Sequence, residues 1–268
     1  MDEHLTSSEV ARLLGVAPSS VKRWTDSGLL RCVVTPGRHR RFTRRDVTEF
    51  ARSHRAQLAA QPPLEFVDTL LSEQPLAAIQ SEILAVRARE RTWYETVEAL
   101  APALAEIGAR WARGEITILA EHRASERFAR ALSACAETIV VANDPPLALL
   151  ATVEGDDHTL GLNLAELCVR EAGWKALWGG RRMPGAELVR RLEQGGIGLV
   201  ALSASESSSD AYALAQQVEL LAPVCQRTGA QLVLGGSGAW PADATRHDGV
   251  HRIERFAQLH ELLVAGMD

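Results

Sequence analysis

Gly155-Asp156-Asp157-His158-Thr159-Leu160-Gly161 is the stretch on which the fold turns. A strand-like apolar run, Leu147 to Val153, enters it, and an amphipathic helical segment, Leu160 to Glu171, leaves it. The spacing therefore places His158 at the carboxyl end of a strand, where open α/β sheets bind their ligands. A histidine there can offer one ring nitrogen to a metal. Asp156, two residues upstream, is placed to accept a hydrogen bond from the other nitrogen and raise its basicity. Gly161 lets a bulky group approach the backbone. The same residues also read as a plain strand-to-helix loop with a surface histidine, and two later stretches bear on the choice.

Ile197-Gly-Leu-Val-Ala-Leu-Ser203 is a buried-strand pattern that ends in a hydroxyl, and Gln231-Leu-Val-Leu-Gly235-Gly236 is another that ends in paired glycines. Asp-x-His-x-x-Gly, a serine and a Gly-Gly pair, each at a strand's end, resemble the cobalamin-binding domain of methionine synthase, corrinoid carriers and mutases. The resemblance implies that His158, backed by Asp156, is the lower axial ligand of cobalt. It also implies that Ser203 hydrogen-bonds the displaced nucleotide tail, and that Gly235 and Gly236 leave it room. Trp240-Pro241 follows the glycines and can flank the tail. Where that family often has Ser-x-Leu or Ser-x-Thr, this chain has Ser203-Ala204-Ser205. Haem or a bilin is the competing tetrapyrrole for the same residues.

Around this domain the chain of 268 residues has length for two or three domains. Cys32, Cys135, Cys168 and Cys225 are far apart and form no Cys-x-x-Cys pair, so they read as thiols in a reducing, cytoplasmic compartment. No apolar run approaches the roughly 18 residues of a membrane span. The net charge of −5 is uneven: residues 1–60 hold 11 Lys/Arg against 6 Asp/Glu, so +5, and the other 208 hold 18 against 28, so −10. A basic leading segment on an acidic body points to an N-terminal domain that meets a polyanion.

That segment carries its own signature. Thr6-Ser-Ser-Glu9 has the N-cap and acidic third residue of a capping box and opens a helix through Val10, Leu13 and Leu14. A second helix runs from Ala17-Pro18 to about Ser27 and is closed by Gly28. A strand-like Leu29–Val34, a Thr35-Pro36-Gly37 turn, a basic strand Arg38–Phe42 and a third helix from Arg44 follow. Together they resemble the winged helix-turn-helix of the MerR family. By that resemblance Ser19, Ser20, Lys22 and Arg23 face the major groove of double-stranded DNA, and Arg38, His39, Arg40 and Arg41 form a wing against the backbone. Trp24 and Phe42 read as this domain's packing. Arg55 to Pro63 reads as a frayed helix end and stiff linker.

Between these parts, Leu64 to Ile139 is helical throughout, enough for a four-helix bundle: Leu64 to Ser72, Pro75 to Arg89, Trp93 to Arg113 and Glu115 to Thr138. Trp111, nine residues, then Glu121-His122 resembles the Trp-x9-Glu-His motif of the bundle that caps cobalamin in the CarH/CarA/LitR regulators. The resemblance implies that Trp111 and Ile118 shield the adenosyl group above cobalt and that Glu121 and His122 hydrogen-bond it. The best-known light-responsive members have a histidine directly after this tryptophan; here the residue is Ala112.

The expected organisation is thus multidomain: a MerR-type winged helix-turn-helix at 1–58, a four-helix bundle at 63–142 and a flavodoxin-like, Rossmann-type α/β cobalamin domain at 146–268. The implied function is a repressor, not an enzyme. It would bind adenosylcobalamin, assemble as a homodimer or dimer-based tetramer on DNA, and let go when light breaks the cobalt–carbon bond. A light-independent cobalamin-sensing or partner-regulated transcriptional regulator is the alternative, with a corrinoid methyl carrier or a sensor of another tetrapyrrole behind it.

Overall fold

The computed structural model describes residues 4–14, 21–22, 24–25, 28–34, 37, 39–53, 64–206 and 210–266. The chain divides into two compact units, Met1–Gln61 and Pro62–Asp268. The expected linker at 55–63 lies outside the described residues.

In the first unit, β1 (His4–Leu5), α1 (Ser7–Leu14), β2 (Val33–Val34), β3 (Arg40–Thr43) and α2 (Arg44–Ser53) follow in order. The three strands form an antiparallel sheet in the order β1-β3-β2. The capping box forms: Thr6 N donates to Glu9 Oε2 at 2.8 Å and Glu9 N to Thr6 Oγ1 at 3.3 Å. Residues 21–22 and 24–25 are helical, and Gly28 takes a left-handed φ of +73° that only glycine adopts freely. Trp24, Phe42 and Phe50 close a small core with Val10, Leu30 and Val47. The strand expected over Leu29–Val34 is shorter, Val33–Val34 alone, because Leu30 is drawn into that core by a turn in which its N–H reaches Trp24 O at 3.1 Å. Strand β1, which pairs with β3, was not expected from the sequence.

The second unit opens with four helices, α3 (Leu64–Leu71), α4 (Leu76–Glu90), α5 (Trp93–Ala112) and α6 (Ile118–Ala136). Helix α6 starts three residues later than the sequence pattern suggests, because Gly114 turns the chain at φ +71° and Thr117 supplies the N-cap, accepting from Ala120 N at 3.2 Å. Strands and helices then alternate: β4 (Leu147–Thr152), α7 (Leu160–Glu171), β5 (Lys175–Gly180), α8 (Gly185–Glu193), β6 (Ile197–Ser203), α9 (Ala211–Thr228), β7 (Gln231–Gly235), β8 (Val250–Arg252) and α10 (Phe256–Ala265). All five strands are parallel, in the order β5-β4-β6-β7-β8, so the flavodoxin-like switch point falls between β4 and β6.

Period-two alternation sends Ala148 and Leu150 of β4 to one face and Leu149 and Ala151 to the other. The second face packs under α8 and α9. The first packs under α7 and α10, and its core runs on without a break into Phe66, Ile83, Leu100 and Phe128 of the bundle. Bundle and sheet are therefore two layers of one hydrophobic core.

Two carboxylates fasten the layers. Glu171, at the end of α7, accepts from Trp93 N at 2.7 Å and Tyr94 N at 3.3 Å, which caps α5, and pairs with Arg87 at 3.1 Å. Glu98 of α5 accepts from Ala257 N at the start of α10, at 3.2 Å.

Candidate functional site

The loop after β4 holds His158 by its own chemistry. Asp156 is fully buried, and one carboxylate oxygen, Oδ1, accepts both His158 N at 2.8 Å and His158 Nδ1 at 2.9 Å. Its other oxygen accepts from Ser205 N, two residues beyond β6. Ser205 Oγ in turn lies 3.0 Å from His158 Nδ1. The loops after β4 and β6, the two strands that flank the switch point, are thus tied through one carboxylate. With Nδ1 engaged, Nε2 is the nitrogen left for a ligand, on a side chain that is 62% exposed.

The loop is supported from beneath. Thr152 Oγ1 donates to the Asp156 carbonyl and accepts from Arg182 N at 2.9 Å. Arg182 also pairs with Asp157, at 2.8 Å from Nε, and holds that carboxyl below the usual carboxylate range. Asp156 and His158 meet as the sequence suggests. Ser205 and Thr152 were not singled out as site residues. A hydroxyl at the last position of a strand was the available signal for Thr152, whereas Arg182, 26 positions from Asp156, gave none.

Beside this loop lies a cavity of about 380 Å3, between the starts of α7 and α10 and the ends of β6 and β7. Gly161, Ser203, Gly235 and Gly236 all line it. The sheet register explains why they converge: Thr152, Ser203 and Gly235 are neighbours across β4, β6 and β7. Trp240 does not line it. Its ring sits in the core on the opposite face, and Nε1 donates to Gly235 O at 2.9 Å, so its part is to fix the glycine turn from behind.

The bundle residues lie at its tip, where α5 turns into α6. Trp111 is 49% exposed and Ile118 57%, and His122 Nδ1 meets Glu121 Oε2 at 2.5 Å. Helix α5 has 20 residues and α7 has 12, about 30 Å and about 18 Å at the helical rise. Glu171 joins the end of α7 to the start of α5 and the two helices pack on one another, so the longer α5 carries the tip towards the start of α7, next to His158. The apolar tip and the histidine loop thus stand at the same end of the unit. Together they suit a flat ligand with one axial position below and one above. A single backed imidazole is the donor set for a metal whose other positions are filled by a macrocycle, which fits a corrinoid.

In the first unit Arg40 Nη1 reaches Lys22 O at 3.4 Å, which ties the wing strand β3 to the second helix. Lys22 and His39 are exposed, and Arg41 is half-buried. Ser19, Ser20, Arg23 and Arg38 lie outside the described residues.

Residues 5–55 match the helix-turn-helix domain family, and residues 78–136, which form most of the bundle, match the B12 binding domain family. The pairing fits a CarH-type cobalamin-binding helix-turn-helix regulator. Among solved structures, the monomethylamine corrinoid protein of Methanosarcina barkeri aligns at 16% identity and TM-score 0.55, over 75% of this chain and 96% of that one. This likeness supports the corrinoid-protein fold of the second unit. A cobalamin-binding protein from Desulfitobacterium hafniense DCB-2 aligns at 20% identity, TM-score 0.38, over 79% and 98%. The methanol:cobalamin methyltransferase complex of Methanosarcina barkeri aligns at 15% identity, TM-score 0.41, over 93% and 93%. A search of curated protein sequences returned no match. Among the described residues no helix is long and apolar enough to cross a membrane.

Proposed function

We propose that the protein is a transcriptional repressor, with no catalytic role, whose assembly on double-stranded DNA follows the state of adenosylcobalamin bound between bundle tip and sheet. The observation that carries the reading is His158, held through Nδ1 by a buried carboxylate and a serine beside a glycine-lined cavity. His158 Nε2 would be the cobalt ligand. Gly161, Ser203, Gly235 and Gly236 would receive the nucleotide tail. Trp111 and Ile118 would cover the upper group and exclude water, while Glu121 and His122 offer it hydrogen bonds. When bound, adenosylcobalamin supplies a cobalt–carbon bond that green light cleaves.

The rest is the chain's own response. Trp111, Ile118 and Leu119 are exposed, and an apolar surface of this kind favours any arrangement that buries it. Ligand states that favour different tip positions thereby favour different assemblies. On an operator, Ser19, Ser20, Lys22 and Arg23 would face the major groove and Arg38, His39, Arg40 and Arg41 the backbone. Several such weak modules in a dimer or tetramer gain affinity through effective concentration.

One residue favours a second reading. Ala112, the last residue of α5, offers no imidazole beside Trp111, which suits a regulator that senses cobalamin without light. The two are separated by the absorption spectrum and light-scattering mass of the protein loaded with adenosylcobalamin in darkness, repeated after green illumination. The expected result is a base-off spectrum and an assembly that loses mass on illumination. Photolysis with no change of mass would remove light from the function. Methyl transfer from bound methylcobalamin to a thiol, with no DNA affinity, would replace the regulator by a methyl carrier.

A further inference from the structure

The cavity beside His158 is polar at its rim and apolar at its floor. Ser203 and Gly235 stand at the strand ends. One pleat below them, on the same face, the cavity is lined by Ala201 of β6 and Val233 of β7, with Ala165 of α7 and Leu259 of α10 opposite. Of the other polar side chains at the rim, Glu254 is exposed at the mouth, away from the floor, and Arg252, Ser237 and Arg255 have partners. The Arg252 guanidinium donates to Leu234 O at 3.1 Å, Ile253 O at 3.0 Å and Gly236 O at 2.7 Å. Ser237 Oγ accepts from Glu206 N at 3.2 Å, and Arg255 faces Glu98 at 3.5 Å. Ser203, at the end of β6, is the polar side chain that lies nearest the floor.

We infer that this cavity selects the base of the cobamide tail, taking a benzimidazole and discriminating against a purine. The inference rests on the cobalamin reading of the site. A benzimidazole turns one ring nitrogen toward Ser203 and presents a hydrocarbon edge, methylated in cobalamin, to Ala165, Ala201, Val233 and Leu259. Adenine carries an exocyclic amine and two pyrimidine-ring nitrogens on that edge, and burying them against alkyl groups leaves them without the partners that water gave. Cavities built of alkyl groups reject polar analogues through such unmatched groups.

The test is titration of the apoprotein with three corrinoids in darkness, read by absorption: cobalamin, the adenine-tailed cobamide and cobinamide, which has no tail base. Cobalamin is expected to bind at least ten-fold more tightly than the adenine form, with both His-ligated. Ala201→Leu, which fills the floor, is expected to bring cobalamin down to the affinity of cobinamide while cobinamide binding stays as it was, so that the variant reports its own folding. Val233→Thr, which adds one hydroxyl at the floor, is expected to narrow the gap between the two bases. Equal affinity for cobalamin and the adenine form would overturn the selectivity and leave the cobalamin site standing. Failure of all three corrinoids to bind would overturn both.

Discussion

Gly236 takes φ +82°, and a Cβ there would fall well inside van der Waals distance of the Ala204 carbonyl oxygen. Gly236→Ala should therefore cost about 1–3 kcal/mol through backbone strain and displacement of the Ser203 loop, seen as a lower melting temperature and weaker cobalamin binding together. An unchanged melting curve would mean the turn relaxes at no cost. His158→Ala acts differently, since the side chain is mostly exposed and packs little. Folding should survive, and the bound cobalamin should show a base-off spectrum without the histidine ligand and a raised Kd; unaltered spectra would remove His158 from the site. Asp156, His158 and the two glycines were legible in the sequence because each sits where a strand pattern stops. Ser205 was visible only as an oddity, a serine where a larger residue was expected. Its contact with His158 depends on the parallel register of β4 and β6, which no local pattern encodes.

At the scale of elements, the wing is held by the β2–β3 pairing and by Arg40 on the Lys22 carbonyl. Replacing Arg38, Arg40 and Arg41 together by Ala should weaken operator binding and flatten its dependence on salt by up to about three units of slope, because each phosphate contact releases about one counterion. Measurement of binding from low to high salt decides it; an unaltered slope would take the wing off the DNA backbone. The positions of β4, α7, β6 and β7 were legible almost to the residue, since periods of 3.6 and 2 alternate there. The first unit was harder. Strands of two residues, such as β1 and β2, are set by pairing with β3 and carry too few residues to show any period.

For the whole molecule, the continuous core from the sheet through α7 and α10 into the bundle has an energetic corollary. Bundle and α/β part should unfold in one cooperative transition, because neither can expose its side of that core while the other stays folded. Calorimetry of the apoprotein checks this directly, and a separate, earlier transition with the helical content of four helices would show that the bundle is an independent domain. The sequence pattern marks bundle and sheet as separate segments; that they share a core is a property of packing, invisible until Phe128 and Leu150 are seen in one cluster.

The Glu171 cap gives the bundle a fixed foot. Helix α5 starts on that carboxylate and ends some 20 residues later at the tip, so it behaves as a lever about 30 Å long. A tilt of about 6° about the foot, too small to break the cap, sweeps Trp111 through about 3 Å, close to the thickness of an aromatic ring. On the function proposed above, a change of ligand over the histidine loop would be felt at the far end of α5 as a displaced edge while the Glu171 cap at its start stays made.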